Sequence, residues 1–421
     1  MKVNASIQDT LDFKDVLLSP AQDVSPPADI STKARLTRSL YLNIPLIATG
    51  KGTTESALGI RMAQLGGIGV IHGDMPLGKQ VEEVRRVKRA ESRVVSNPIT
   101  IAPESSLAEA LDLMSTYKVS GLPVAEQPSQ KVVGILTARD VRFAEDYTKT
   151  VGELMTKEIV SAKANITPAE VKKIMHEKRI EKLVVLDDRG RCAGLITVRD
   201  IDQAMKYPMA ARDKHGRLLA AAMVGTGKDG YDRAQAMADA GLDVVFVDTT
   251  GASSKEAAKS VSEIRQQRSS EVQIVAGGVA TPGAARSLID AGADAVLIDP
   301  CLIFRSGQAG FSTVLKVAEQ CALMDVPAIA SVCGTNGEIA KALGAGAATA
   351  MIDQLFSGSA EAAGKVSYRE GFAYKGASPY LGSAQDIVTH LMNELKASMS
   401  IAGAYDIDAL NKSAEFLRIC P

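Results

Sequence analysis

Two copies of one short motif place the same polar side chains sixty positions apart, GILTARD at 134–140 and GLITVRD at 194–200. A carboxylate accepts hydrogen bonds from two hydroxyl groups, and a neighbouring hydroxyl and guanidinium suit a bound oxyanion. The pattern therefore predicts a ligand site. An alternative stays open, in which the threonine and aspartate only cap the next helices, VRFAED and IDQAM. The residues concerned are Thr137, Arg139, Asp140, Thr197, Arg199 and Asp200.

The cysteines form no metal or disulfide pattern. They are Cys192, Cys301, Cys321, Cys333 and Cys420, five in number and widely spaced, with no Cys-x-x-Cys pair. A cysteine acts as a nucleophile in its thiolate form, which a nearby cation favours. Because LIDPCLIFRSGQ has no histidine or lysine, the residues alone favour a small buried cysteine at Cys301. We expect a reducing compartment and no metal site.

The composition is typical of a globular protein. Of 421 residues, 46% are hydrophobic and 23% charged, with a net charge of −1, which excludes disordered and fibrous classes. Near-neutral charge gives no general attraction for nucleic acid or an anionic membrane. The sequence has neither a signal-peptide core nor about 18 consecutive apolar residues. We expect a cytoplasmic protein without membrane or specific nucleic-acid partners.

Helix and strand signals surround each copy of the motif. Amphipathic patterns over 105–119 and 167–180 begin with Ser or Thr, and the short strands PVAE and VVLDD follow them. These signals predict two similar modules of mixed α and β structure, over 93–150 and 151–207. The two motifs then face a cleft that the modules share.

The rest of the chain alternates short apolar strands with alanine-rich helices. Eight strands are predicted, at 44–49, 67–72, 219–225, 243–250, 272–279, 293–300, 326–333 and 347–354. Eight such units in series predict an α/β fold of the (β/α)8 TIM barrel type, formed by 1–92 and 208–421 with the modules inserted between. A doubly wound open sheet is the structural alternative.

Long stretches of the chain resemble the IMP dehydrogenase and GMP reductase family, and IMP dehydrogenase most closely. In order, they are LDFKDVLLSPA, LTRSLYLNIPLI, TESALGIRMAQLGGIGVIH, EEVRRVKRAES, DAGLDVVFVDTT, ATPGAARSLIDAGADAV, IAKALGAGA and NKSAEFLRI. The inserted repeat resembles the pair of CBS modules that this family carries at the same place. The resemblance implies the same barrel with a CBS pair inserted.

The resemblance also implies a reaction at the carboxyl ends of the barrel strands. In the family a cysteine thiolate attacks the purine of IMP, hydride passes to NAD, and water activated on a mobile flap releases the product. Cys301 then corresponds to the nucleophile and Asp248 to an aspartate near the nicotinamide ribose. Asp248 also has the alternative role of a helix cap.

For the inserted pair, the resemblance implies an adenine nucleotide, AMP or ATP. Asp140 and Asp200 then accept hydrogen bonds from ribose hydroxyls, and Thr137 and Thr197 contact phosphate. The resemblance further implies a homo-oligomer, a tetramer or an octamer, with purine nucleotides as ligands and an active paralogue as a further candidate partner.

The chain departs from the family where the family binds its nucleotide. The glycine-rich loop after strand 6 is replaced by LIDPCLIFRSGQ, the Asp-Gly-Gly element after strand 7 by ASVCGTNGE, and the Gly-Ser loop after strand 8 by MIDQLFSGS. Asp353 in the last of these would repel a phosphate. The segment between Gly364 and Leu381 is too short for the flap.

Two functions of different class are therefore expected. The first is a non-catalytic, regulatory family member with a degenerate active site, linked to purine nucleotide metabolism through an adenine-nucleotide-binding CBS pair. The alternative is an active NAD-dependent oxidoreductase on IMP or a related purine nucleotide, using Cys301.

Overall fold

The chain divides into two compact units in the computed structural model. The larger unit comprises Met1–Ala90, Met209–Asp213 and Leu218–Pro421, and the smaller Glu91–Pro208 and Lys214–Arg217. The structure describes residues 10–50, 52–90, 95–96, 99–117, 119–142, 144, 146–163, 166–250, 252–267, 272–299, 310–334, 337–369, 372–376 and 378–419.

Eight parallel strands close into a barrel in the larger unit. In chain order, barrel strands 1 to 8 are Leu46–Ala48, Ile68–Ile71, Ala221–Val224, Val244–Asp248, Gln273–Val279, Ala295–Ile298, Ala328–Val332 and Thr349–Ile352. Strands 2 and 3 pair directly, with Val70 opposite Ala221, although the whole smaller unit lies between them in sequence. Strand 8 pairs with strand 1 and completes the closure. The predicted (β/α)8 barrel is confirmed, and the open sheet is excluded.

The barrel strands are near-continuous apolar runs because both of their faces are buried. Every residue of strands 1, 2, 6 and 8 is buried. The barrel interior is filled by side chains from all eight strands and from the segments that close its base, which makes it a packed core rather than a pore. This core comprises Leu36, Leu42, Ile47, Ile68, Val70, Ala211, Leu219, Ala221, Val244, Phe246, Val275, Ala295, Leu297, Ile329 and Met351, with Leu40 and Met223 packed against it.

Helices follow the barrel strands and cover the outer face of the sheet. They are Ser56–Gln64, Leu77–Ala90, Gly227–Asp239, Ser254–Gln267, Pro282–Asp290, Gly310–Leu323, Glu338–Gly344, Gln354–Ser357, Ala384–Ile401 and Ile407–Ser413. Local sequence sets their starts. Thr281 caps Pro282–Asp290 by accepting from the amide of Ala284, and proline stands in its first turn.

Short elements complete the larger unit. Single 3-10 turns occupy Phe13–Asp15 and Pro27–Asp29, and Ala34–Arg35 pairs with Tyr41–Leu42. Val16–Leu18 pairs with Phe416–Arg418 and so joins the two ends of the described chain. A three-stranded antiparallel sheet, Val366–Arg369, Phe372–Lys375 and Ser378–Pro379, occupies the segment where the family resemblance implies a longer flap.

The smaller unit contains both copies of the repeat. Its strands are Val95–Ser96, Gly121–Ala125, Val132–Thr137, Ser161–Lys163, Lys182–Leu186 and Cys192–Thr197, and its helices are Leu107–Tyr117, Val151–Leu154, Pro168–Lys178 and Val198–Lys206. Each copy has its own apolar cluster. A third cluster, formed by Val132, Ile135, Val184 and Leu195, joins strands of the two copies.

Within the described ranges, no helix is both long enough and apolar enough to cross a bilayer.

Candidate functional site

A cavity of about 640 Å³ opens at the carboxyl ends of the barrel strands. Its floor is apolar, because it is the top layer of the barrel core, with Met223, Phe246, Val275, Leu297 and Met351 among the lining side chains. A cavity of this size and position suits a nucleoside or a nucleotide. We call this cavity and its rim the barrel mouth.

The rim of the barrel mouth is acidic. Seven carboxylate residues are among its described lining residues, and two basic residues, Lys14 and Arg233, accompany them. Arg233 is already paired, since its Nε donates to Asp229 at 2.8 Å. The carboxylates come from the ends of six strands and from the N-terminal segment, and they are Asp12, Asp74, Asp229, Asp248, Asp299, Glu338 and Asp353.

Asp248 ends strand 4 and is exposed to the cavity. Its Oδ1 accepts from the amide of Thr250 at 2.9 Å. The next helix begins six residues later, where the amide of Glu256 donates to Oγ of Ser253. Asp248 therefore shapes its own turn and does not cap that helix, which leaves its carboxylate facing the cavity.

The loop after strand 7 contains an anion-binding arrangement of backbone amides. The amides of Cys333 and Gly334 both donate to Oε2 of Glu338, at 2.9 and 3.1 Å. Gly334 has φ of +80°, and a residue with positive φ turns successive N–H groups toward one point. A carboxylate of the chain itself thus fills this nest.

Asp353 follows strand 8 and is bonded to the hydroxyl of Ser357. That hydroxyl lies 3.1 Å from Oδ1 of Asp353 and 3.0 Å from Oγ1 of Thr53. Burial raises the pKa of Asp353, and the hydrogen bond from Ser357 opposes this rise. The hydroxyl of Ser357 could donate to a bound anion, but it is already bonded to a carboxylate of the chain.

His72 directly follows strand 2, its side chain is buried, and it lines the cavity. Burial lowers the pKa of His72, although Glu55 and Asp74 act in the opposite direction. Nδ1 accepts from the amide of Asp74 at 3.1 Å, which places the proton of the neutral ring on Nε2. Nε2 lies 3.9 Å from Glu55 and has no hydrogen-bond partner among the described residues.

The cysteines differ in their surroundings. Cys301 and the loop around it lie outside the described residues. Cys333 is exposed and lines the cavity, where partial burial and the carboxylates Glu338 and Asp12 raise its pKa. Burial raises the pKa of Cys192 to about 11 and that of Cys321 to about 12. The three described cysteines are therefore thiols at neutral pH.

In the smaller unit, each threonine of the repeated motif contacts the aspartate of its own copy. The amide and hydroxyl of Thr137 donate to Oδ2 of Asp140 at 2.7 and 2.6 Å. Thr197 donates to Asp200 at the same two distances. The same side chains were predicted to bind a nucleotide or to cap a helix. The contact between threonine and aspartate is present in both copies, and a capped helix follows it only in the second.

The two copies differ in the backbone that comes after the motif threonine. Thr197 caps the helix Val198–Lys206, as expected for IDQAM. After Thr137 the described residues 138–142 form turns. The prediction of a helix over VRFAED was therefore wrong. Nη2 of Arg139 donates to Glu181 of the second copy at 2.9 Å. The side chain of Arg199 lies outside the described part of the chain.

Sequence reasoning missed several residues of the barrel mouth. Asp299 follows strand 6 directly and Asp74 lies three residues beyond the end of strand 2, and these positions are the signal that could have identified them. Asp12 and Lys14 come from the N-terminal segment, and no local pattern relates that segment to the strand ends. In the ranges that the structure describes, no cluster of three His, Cys, Asp or Glu side chains could hold a metal ion.

Comparisons with known proteins agree with the architecture. The family model for the IMP dehydrogenase / GMP reductase domain matches residues 10–378. Inosine-5'-monophosphate dehydrogenase of Aquifex aeolicus is 37% identical over 100% of this chain and 95% of its own length. The corresponding protein of Staphylococcus epidermidis is 35% identical, with 99% and 95% coverage.

Solved structures are also similar along the whole chain. A Trypanosoma brucei GMP reductase in complex with guanosine 5'-monophosphate has a TM-score of 0.79 and 30% identity, covering 99% of this chain and 96% of that one. The same organism's GMP reductase in complex with guanosine 5'-triphosphate has a TM-score of 0.76 and 31% identity, with 99% coverage of both chains.

Proposed function

The chain belongs to the IMP dehydrogenase and GMP reductase family, and we propose that its barrel mouth is an NAD-dependent oxidoreductase site for IMP or a related purine compound. The open cavity at the strand ends carries this proposal, because it lies where (β/α)8 enzymes hold their substrates and is large enough for a purine nucleoside or nucleotide. The proteins named as IMP dehydrogenases that align with nearly all of this chain support the same reaction class. This was the alternative at the sequence level, and these relatives favour it over a non-catalytic barrel.

One residue of the barrel mouth, Asp248, suits the ribose of a nicotinamide nucleotide. Asp248 is exposed to the cavity and accepts from one amide through Oδ1, so its carboxylate has capacity for the hydroxyls of a ribose. NAD, when bound, supplies the hydride acceptor. Asp248 would orient the nicotinamide ribose and thereby position the ring over the apolar floor.

Cys301 is the proposed nucleophile. By sequence it stands three residues beyond the end of strand 6, and Leu297 and Asp299 at that end line the cavity. A thiolate at this place can attack an electron-poor purine carbon and leave a covalent adduct from which hydride departs. Hydrolysis of the adduct then returns the thiol.

The experiment is a steady-state assay of NADH formation with IMP and NAD. We expect turnover by the unaltered chain and a loss of at least about a thousandfold in Cys301→Ala, since the covalent route is removed. Cys192→Ala in the smaller unit is the matched control and should keep the activity. Equal rates in Cys301→Ala and the unaltered chain would reject this role for Cys301.

A second candidate function is a purine-binding barrel without turnover. One observation favours it, namely that Glu338 and Asp353 occupy the anion-binding groups after strands 7 and 8. A substrate held less firmly reacts more slowly, because positioning supplies much of the rate. Binding of a purine without any NADH formation would support this candidate over the oxidoreductase.

For the smaller unit we propose a regulatory adenine nucleotide site at the two Thr-x-Arg-Asp turns. Each aspartate accepts from its own threonine through Oδ2, and in the first copy Oδ1 of Asp140 is the oxygen suited to a ribose hydroxyl. In the first copy Oδ1 of Asp140 already accepts a long hydrogen bond from Thr156 at 3.3 Å, which a ribose hydroxyl would replace. A solved relative in complex with guanosine 5'-triphosphate supports a purine nucleotide as the class of ligand.

A further inference from the structure

The anion-binding groups of the barrel mouth are already satisfied by the chain's own carboxylates. The nest formed by the amides of Cys333 and Gly334 holds Glu338, and the hydroxyl of Ser357 is bonded to Asp353. A nest of two amides accepts one anion, because both donors point at the same place. A phosphate group could use this nest only after Glu338 had left it.

The net negative charge of the rim also disfavours a bound phosphate. A phosphate monoester carries about two negative charges near neutral pH. Among the described lining residues seven are acidic and two basic, and Arg233 is committed to Asp229. Such a ligand would therefore meet net repulsion from the described part of the rim.

What remains in the cavity suits a planar ring with hydroxyl groups. The floor is apolar, with Met223, Leu297 and Met351 among its side chains, and it can cover the face of a heterocycle. The exposed carboxylate of Asp74 is an acceptor for sugar hydroxyls. Nε2 of His72, which is buried at the cavity wall, is an N–H group without a partner among the described residues.

We propose that the barrel mouth binds a purine nucleoside or free base and discriminates against the nucleoside monophosphate. Glu338 and Asp353 are the specificity residues, and they act by occupying the places of a phosphate. The proposal deepens the proposed function, on which it rests for the purine part of the ligand. The exclusion of phosphate rests on the geometry and the charge of the rim.

The test compares inosine with IMP by calorimetric titration of the full chain. We expect the unaltered chain to bind inosine at least about tenfold more tightly than IMP. Glu338→Gln keeps an amide-accepting oxygen but removes the charge, so IMP should gain about tenfold in affinity while inosine changes little. Because Glu338 lies in the larger unit, the change between the two proteins reports on the mouth and not on nucleotide binding elsewhere.

Two further variants make the result decisive. Asp353→Asn should act in the same direction, and it replaces Glu338→Gln as the test if that variant does not fold. Asp386→Asn is the matched control, since Asp386 is the capping-box partner of Ser383 at the start of the helix Ala384–Ile401 and does not line the cavity. It changes the net charge by the same amount and should leave the preference between inosine and IMP unchanged.

Three outcomes would overturn the proposal: tighter binding of IMP than of inosine, no binding of either, or an unchanged preference in both mouth variants. The assay of NADH formation separates this proposal from the proposed function. Tight IMP binding with turnover of IMP rejects phosphate exclusion and keeps the oxidoreductase. Inosine binding without NADH from either compound keeps phosphate exclusion and rejects the oxidoreductase.

Discussion

The two ends of the barrel differ in how their charged side chains are paired. At the amino ends of the strands, Nζ of Lys88 donates to Asp243 at 2.7 Å, to Asp213 at 2.9 Å and to the carbonyl of Leu218 at 2.9 Å. Arg265 pairs with Asp294 at the same end. At the carboxyl ends, seven carboxylates face two basic residues among the described lining residues.

The contrast separates structure from function within one fold. A buried charge at the base must be paired, because an unpaired one would lose its hydration without compensation. At the open mouth, water reduces the repulsion between carboxylates, so an excess of one sign is tolerated there. The paired charges at the base therefore stabilise the fold, and the unpaired excess of carboxylates at the mouth affects which ligands bind.

The largest effect is expected at the base. Lys88→Met should destabilise the larger unit by about 3 to 5 kcal/mol, because the carboxylate of Asp243 would stay buried without the cation that pairs with it. Lys79→Met, which removes an exposed cation paired with Glu55, is the control and should change stability little. Urea unfolding measures both. A small loss in Lys88→Met would show that the base is no more dependent on its charges than the mouth.

The smaller unit tests whether paired groups can also bind a ligand. Replacing both Asp140 and Asp200 by alanine should weaken adenine nucleotide binding by about 1.5 to 3 kcal/mol at each motif, since each motif loses a charged acceptor for a ribose hydroxyl. Calorimetric titrations with AMP, ATP and GTP measure this. Glu170→Ala removes a similar helix cap at Thr167 and is the control for lost capping alone. If neither the unaltered chain nor the double variant binds any of the three nucleotides, the motifs only stabilise their own turn and helix start.

A smaller effect concerns pH at the mouth. Burial lowers the pKa of His72, so the unfolded chain binds its proton more readily than the folded one. Stability is then constant above the unfolded value of about 6.5 and falls as the pH drops below it, by at most about 1.4 kcal/mol per pH unit. His72→Gln should flatten this part of a thermal unfolding profile. An identical profile in the variant would assign the acid sensitivity to other groups.

The barrel was predictable because its signal is local and repeated. Eight apolar runs of strand length, such as VVFV in strand 4, each have to be buried on both faces. The helix expected after Thr137 is not formed, because a capping pattern alone does not fix a helix: the first turn is costly to form, and a short helix depends on tertiary packing that the local sequence does not specify.

The candidate site was predictable only in part. Asp248 and Asp353 stand at the ends of apolar runs, so the barrel hypothesis alone places them at the mouth. The bond of Glu338 to two amides depends on the backbone turn at Gly334, which the letters ASVCGTNGE do not specify. The proximity of Lys88 to Asp213 and Asp243 spans more than a hundred residues, and no periodicity encodes it.

A single-turnover experiment shows most directly whether the mouth is a purine oxidoreductase site selective against phosphate. The full chain, in excess over substrate, is mixed with NAD and either inosine or IMP, and NADH is followed by its absorbance. We expect NADH formation that is faster with inosine than with IMP and absent in Cys301→Ala. If the unaltered chain forms no NADH from either compound while inosine binds, the oxidoreductase is rejected and the mouth is a purine-binding site without turnover.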